Sequence, residues 1–147
     1  MKKLLSLTLA LLLAFSALVG CQPQNVSGYA TVAVGGDEEF TVDLGKVEIT
    51  DGAMSILEYL KNEGELDYEA TDGAYGAYLT KVGSIEENAT GGKYVGIWTS
   101  VEEDFDVSAY ATTKEYKGKT LTSAGVGISQ MTITDGAVIY IDYIVYE

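Results

Sequence analysis

The sequence predicts an α+β fold in which one amphipathic helix packs on one face of a mixed β-sheet. Four apolar residues within residues 50–64 recur at positions i, i+3, i+4 and i+7, the spacing of one helix face. They are Ala53, Ile56, Leu57 and Leu60. Most other segments after residue 28 alternate between apolar and polar residues, as strands do. Because one helix cannot bury its apolar face alone, we expect the strands to supply the sheet that covers it.

Two residues predict the ends of this helix. Asp51 can cap the N-terminus, because an aspartate side chain accepts hydrogen bonds from the free N–H groups of the first turn. Gly64 can end the helix in a left-handed conformation, which glycine adopts without steric cost.

The strand predictions come from alternation, β-branched residues and turn signals. The predicted strands are residues 29–34, 38–49, 66–71, 77–82, 93–99, 106–111 (an edge strand) and 136–146 (the most buried), with residues 112–122 as a polar loop. A Gly-Gly turn joins the first two strands into a hairpin, and the helix follows them.

The first twenty residues have the pattern of a secretory leader. Lys2 and Lys3 precede an apolar run, and small residues then lead to Cys21. This resembles a bacterial lipoprotein signal, in which the chain is cut before the cysteine and the thiol carries a lipid. The alternative is an ordinary signal peptide followed by an unrelated cysteine. We expect a signal peptide at residues 1–20, lipidated Cys21 and a short tether at residues 21–28, and one domain at residues 29–147, held on the extracellular face of a bacterial membrane.

Composition excludes several classes of site. The chain has one cysteine, no histidine and no arginine, which excludes disulfides, Cys/His metal sites and histidine-dependent nucleophilic catalysis. The formal net charge is -13, and removal of the leader leaves 7 basic against 22 acidic residues, a net charge of -15. Such a surface repels nucleic acid, so we expect no nucleic-acid partner. Nothing in the sequence places two carboxylates across a cleft, so we do not expect an enzyme.

An acidic segment follows the aromatic strand at residues 93–99. It contains Glu102, Glu103, Asp104 and Asp106. Carboxylates bind hard cations such as calcium, but these residues lack the spacing of a dedicated calcium loop. A solvated acidic turn is the favoured interpretation, and we predict no metal site.

Aromatic residues and glycines alternate in the middle of the chain. The aromatic residues are Tyr75, Tyr78, Tyr94 and Trp98, and the glycines are Gly73, Gly76 and Gly96. Glycine lets a planar ligand approach the backbone, and aromatic faces stack on such a ligand. Alternatively, inward-facing residues of strands simply form core. The residues leave both interpretations open.

The order of these segments resembles a known family. The matching segments are Asp51–Leu60, Gly73–Val82, Tyr94–Trp98 and Ile133–Ile139. They resemble the transcobalamin C-terminal-like domain, a β-grasp module of uncharacterised function in surface lipoproteins of Gram-positive bacteria. The resemblance covers roughly residues 40–146 and implies a β-grasp-like sheet. In transcobalamin and intrinsic factor the equivalent domain closes over one face of cobalamin.

The resemblance implies a small planar ligand, a corrinoid such as cobalamin, taken up at the cell surface. We expect Tyr75, Tyr78 and Trp98 to face it. Family members usually have an Asn-Gly hairpin after the aromatic strand, whereas residues 99–103 here read Thr-Ser-Val-Glu-Glu. The alternative function is a surface interaction or adhesion module, which would present a sheet edge or loops to another protein or to the cell wall.

Overall fold

A computed structural model describes residues 24–74 and 76–145, and over these residues the chain forms one α-helix and nine strands. The elements are β1 (Tyr29–Val34), β2 (Glu38–Asp43), α1 (Met54–Asn62), β3 (Tyr68–Gly73), β4 (Gly76–Val82), β5 (Ile85–Glu86), β6 (Lys93–Thr99), β7 (Thr113–Tyr116), β8 (Lys119–Ser123) and β9 (Val138–Val145). The predicted α+β class with a single helix is confirmed. The predicted leader, Cys21 and Tyr75 lie outside the described residues.

The strands form two sheets. The larger has six strands in the order β2-β1-β9-β6-β8-β7, and the smaller has three in the order β3-β4-β5. β1 and β9 run parallel, while every other neighbouring pair is antiparallel, so the larger sheet is mixed. The connection from β1 to β9 therefore spans most of the chain, and α1 and the smaller sheet lie within it.

The predicted face of α1 is buried. Ala53, Ile56, Leu57 and Leu60 all belong to the main apolar core. Alternate residues of β1 and β9, such as Val32 and Ile141, join the same core. The helix is thus stabilised by burial against one face of the larger sheet. Within residues 24–74 and 76–145, no helix is both long enough and apolar enough to cross a bilayer.

The start of α1 differs from the prediction. The helix begins at Met54, and no side chain caps it. Ser55 Oγ accepts hydrogen bonds from the backbone N–H groups of Thr50 (3.1 Å) and Asp51 (2.9 Å). The Asp51 carboxylate accepts a bond from Ser129 Oγ at 3.1 Å instead of capping the helix. The capping prediction was wrong because this carboxylate is hydrogen-bonded to a residue 78 positions later in the chain.

The end of α1 agrees with the prediction. Gly64 has φ +75°, in the left-handed region. Its N–H donates to the Lys61 carbonyl at 3.0 Å, and the N–H of Glu65 donates to the Leu60 carbonyl at 2.9 Å. These bonds satisfy carbonyls of the last turn, which is what a glycine stop provides.

The segment predicted as a polar loop is a hairpin instead. β7 and β8 are joined by Lys117 and Gly118, whose φ angles are +48° and +76°. Two positive φ values match a type I′ turn, whose twist suits a hairpin. The prediction failed because lysine is an uncommon residue at the first of these positions and because the flanking strands are mostly polar. The edge strand predicted at residues 106–111 is also wrong, since that segment is a loop.

Candidate functional site

The β7–β8 hairpin folds over the sheet face opposite α1. β7 and β2 lie at opposite ends of the six-strand order. Nevertheless, the Tyr116 hydroxyl donates to the Glu39 carboxylate on β2, and Lys117 Nζ lies 2.8 Å from Glu39 Oε1. The hairpin therefore curls across the sheet and encloses a second, smaller apolar layer.

Trp98 is the central side chain of this second layer. It is 2% exposed, and it packs with Leu121 and Val138. Its indole N–H donates to Thr112 Oγ1 at 3.0 Å, and its ring meets the Tyr140 ring edge-on at 6.4 Å between centroids. Trp98 was predicted to face a ligand, but the structure places it in the core. The physical reason is that the hairpin covers its face of β6.

A lysine completes the second layer. Lys114 Nζ lies 4.5 Å from the centre of the Trp98 ring and 5.4 Å from the centre of the Tyr140 ring, and it also pairs with the Asp142 carboxylate. The rings and the carboxylate together stabilise the half-buried ammonium group. Burial raises the pKa of the Tyr140 hydroxyl, and the negative charges of Asp142 and Asp37 raise it further. Tyr140 is therefore a neutral member of this layer.

An apolar cleft of about 680 Å³ lies between β4 and β6. Its apolar lining includes Ala77, Leu79, Val95, Ile97, Val126 and Ile144. Polar side chains at the cleft are those of Asp106, Tyr78, Tyr110, Thr112 and Ser123. Asp106 is the one carboxylate, and no lysine occurs, among the described residues that line it. The arrangement can hold an apolar ligand between aliphatic walls, with a few polar groups to orient it.

The cleft exists because β4 and β6 have strand partners along only part of the edges that they turn toward each other. β8 pairs with β6 only at Trp98 and Thr99. β5 pairs with β4 only at Lys81 and Val82. Beyond these short pairings no described strand fills the space between β4 and β6. The open space between the two sheets is the cleft.

A loop beside the cleft carries exposed apolar side chains. Tyr110 lines the cleft and is 88% exposed, and Val107 of the same loop is 96% exposed. Their loop is held by local bonds, because Asp106 Oδ1 accepts from the Ser108 N–H at 2.8 Å and Ser108 Oγ accepts from the Tyr110 N–H at 3.2 Å. A large exposed apolar side chain beside an apolar cleft is typical of a binding surface.

The structure separates two of the three predicted ligand-facing residues, and the third lies outside the described residues. Tyr78 lies at the cleft and is 42% exposed, whereas Trp98 is buried in the second layer and Tyr75 is not described. Sequence reasoning missed Tyr110, and it considered Asp106 only as a member of the acidic segment. The Asp-x-Ser spacing at residues 106–108 is the pattern of an Asx turn, and it could have indicated the loop.

The acidic segment is not fully solvated. Asp104 is buried, and its carboxylate accepts bonds from the Thr132 backbone N–H (2.6 Å) and from Thr132 Oγ1 (3.1 Å). Glu102 and Glu103 are exposed, as predicted. In the described part of the chain no three Asp, Glu, His or Cys residues are grouped so that they could hold a metal ion.

We expect Asp104→Ala to lower the free energy of unfolding by about 1–3 kcal/mol, because it leaves two donors of Thr132 without their acceptor. Chemical denaturation of the variant and the parent measures the difference. Glu103→Ala, an exposed neighbour in the same 3-10 turn, is the matched control and should change little. Equal losses in both variants would contradict a structural role for the Asp104 carboxylate.

No family model matches the chain, and no curated protein matches it. Solved structures do match. One is a candidate metal-binding protein from Ruminococcus gnavus ATCC 29149, at 18% identity and TM-score 0.52, covering 82% of this chain and 100% of that one. Another is haptocorrin in complex with Cbi, at 12% identity and TM-score 0.54, covering 84% of this chain but only 26% of haptocorrin. At these identities the likeness shows a shared fold.

Proposed function

We propose that this protein is a lipid-anchored, non-enzymatic binding domain on the extracellular face of a bacterial membrane, and that its ligand lies in the cleft between β4 and β6. The cleft carries the proposal. Its volume of about 680 Å³ lies within the range of small-molecule sites, about 300–1,000 Å³. The lipoprotein-like leader ending at Cys21 supports the location.

A binding function fits the cleft better than catalysis. Acid–base catalysis needs positioned groups with suitable pKa values, often in pairs. Among the described lining residues, the ionisable side chains are Asp106, Tyr78 and Tyr110. Asp106 already accepts a bond from the backbone of its own loop. Aliphatic walls with aromatic residues at the edge suit a ligand that is held and released unchanged.

A corrinoid is the small planar ligand that we propose first. The sequence resembles the transcobalamin C-terminal-like domain, and the fold is shared with part of haptocorrin, which was solved with Cbi. Tyr78 and Tyr110 offer aromatic faces at the cleft. In this proposal the protein captures the corrinoid outside the cell and presents it for uptake.

We expect the mature chain, made soluble by Cys21→Ser, to bind cobalamin or cobinamide saturably in a calorimetric titration. Tyr78→Ala and Tyr110→Ala should each weaken binding about tenfold, the effect of losing about 1.4 kcal/mol of stacking. Tyr110→Ala should keep a melting temperature close to that of the parent, because Tyr110 is 88% exposed. Tyr78 is 42% exposed, so the titration of Tyr78→Ala is made at a temperature where a melting curve shows that the variant is folded.

Tyr29→Ala is the matched control for this titration. Tyr29 is 58% exposed and does not line the cleft, so its removal should leave the affinity unchanged. Absence of saturable heat with both corrinoids would refute the corrinoid ligand. Equal weakening by all three tyrosine variants would refute the position of the site.

A second candidate function is favoured by a separate observation. Among the described residues, no strand pairs with the part of the β6 edge that lies in the cleft, and such an edge can pair with a strand from another protein. The protein would then be a surface interaction module, and its partner would be a polypeptide.

A further inference from the structure

We propose that the cleft accepts an extended, positively charged peptide segment of another protein, which pairs as an added strand with the edge of β6 at Val95. This inference rests on the second candidate function and gives its partner a chemical class. Backbone pairing, apolar lining and charge each support it.

The open edge of β6 follows from the hydrogen bonds on either side of Val95. Lys93 exchanges two backbone bonds with Asn88, at 2.9 and 3.0 Å, and the Ile97 carbonyl accepts from the Ala124 N–H at 2.9 Å. These bonds lie on the edge of β6 that faces away from β9. Alternate residues of a strand point their backbone groups to the same edge. The N–H and C=O of Val95 therefore point to this edge too.

No described strand pairs with Val95 on that edge. The pairing of β6 with β8 begins only at Trp98, and the bridge between Lys93 and Asn88 is isolated. The opening is thus bounded by a bridge at one end and by a strand at the other. The N–H donor and the C=O acceptor of Val95 lie between these two pairings, and an added strand requires such a donor and acceptor.

The walls of the opening suit the side chains of a strand. Leu79 of β4 and Val126 of the loop after β8 line the cleft along with Val95. A β-branched or aliphatic residue of the incoming segment would bury apolar surface against them. Residues that alternate with it would point back to solvent, where the rim lies.

Charge favours a basic segment over an acidic one. Asp106 lines the cleft, and no lysine does among the described lining residues. The whole chain carries a formal net charge of -13. An acidic segment would be repelled by this field, whereas a segment with lysines at its alternate positions would be attracted.

The test uses two labelled probe peptides and the mature chain carrying Cys21→Ser. The probes are acetyl-Lys-Val-Lys-Val-Lys-amide and its Glu-Val-Glu-Val-Glu counterpart, and fluorescence polarisation measures their binding. We expect saturable binding of the basic peptide, weakened by added salt, and binding of the acidic peptide at least about tenfold weaker. Absence of saturable binding, or equal binding of both peptides, would overturn the proposal.

Val95→Pro tests the strand pairing directly. Proline removes the N–H that points to the open edge, and that N–H is not part of the ladder with β9. We expect Val95→Pro to weaken the basic peptide about tenfold or more, while Val95→Ala, which keeps the N–H, weakens it much less. Equal affinities of Val95→Pro and Val95→Ala would overturn the edge pairing.

A modified peptide gives the same answer without changing the protein. Methylation of the backbone nitrogens of all five residues removes the N–H donors on both edges of the probe, so it should abolish binding whichever way the added strand runs. Unchanged binding of the methylated peptide would overturn the proposal, whether or not Val95→Pro folds. A corrinoid titration of the same preparation is scored separately, so failure of the peptide is distinguishable from failure of the small-molecule function.

Discussion

Replacing Trp98 by alanine should lower the free energy of unfolding by about 3–5 kcal/mol, the usual cost of removing a large buried aromatic side chain. Trp98 is 2% exposed and packs with Leu121 and Val138 beneath the β7–β8 hairpin. Its loss also leaves Thr112 without the indole donor and Lys114 without one of its two ring partners. Denaturant unfolding, followed by circular dichroism, measures the change.

Trp98→Phe and Tyr110→Ala are the matched comparisons for this variant. Trp98→Phe keeps most of the apolar volume but loses the hydrogen bond to Thr112. Its free energy of unfolding should therefore lie between those of the parent and Trp98→Ala. Tyr110→Ala removes an aromatic ring that is 88% exposed and should cost little. A loss below about 1 kcal/mol for Trp98→Ala would contradict the placement of this ring in the core.

The second large effect is expected at the helix. Leu57 is fully buried between α1 and the larger sheet, so Leu57→Ala should lower the free energy of unfolding by about 2–5 kcal/mol. The range reflects how far the surrounding core can collapse into the space left by the side chain. The same denaturant experiment measures it.

Glu58→Ala controls for helix propensity at the next position of the same helix. Glu58 is exposed, and alanine is a good helix former, so this variant should change stability by no more than about 0.5 kcal/mol. If both variants cost the same, the burial of the predicted apolar face would not be the source of the stability of α1.

The local pattern of the sequence was sufficient for the best predictions. The i, i+3, i+4, i+7 spacing placed Ala53, Ile56, Leu57 and Leu60 on the buried face of α1. The aromatic strand predicted at residues 93–99 has the bounds of β6. Gly64 follows the helix in a left-handed conformation, as predicted for a glycine at this position. These features depend on residues within one or two turns of each other, which is the range over which periodicity and capping act.

Long-range contacts explain the failures. Asp51 was predicted to cap the helix, but its carboxylate accepts a hydrogen bond from Ser129, which lies 78 residues later in the chain. Asp104 was expected in solvent, but Thr132 binds it 28 residues later in the chain. Neither partner can be recognised from the residues beside the carboxylate, because hydroxyl groups of serine and threonine are common in every loop.

At the candidate site, too, the sequence indicated the local features, and long-range contacts decided the rest. The sequence indicated that Tyr78 and Trp98 lie on two successive predicted strands, residues 77–82 and 93–99, in a part of the chain rich in glycine and aromatic residues. It could not indicate that the β7–β8 hairpin curls far enough for Tyr116 to reach Glu39, 77 residues earlier in the chain. This hairpin buries Trp98, whereas Tyr78 stays at the cleft. Tyr110 reaches the cleft through a loop that was predicted as a strand.

By itself, the sequence determined the fold class, the apolar face of the single helix, the acidic charge and the lack of histidine and arginine chemistry. These properties follow from composition and from short-range periodicity. The tertiary structure alone decided which aromatic residues are core and which line the cleft, and where β6 has no neighbour among the described strands. The reason is that an open strand edge or a cleft is produced by where distant strands stop pairing, and local residues do not encode that point.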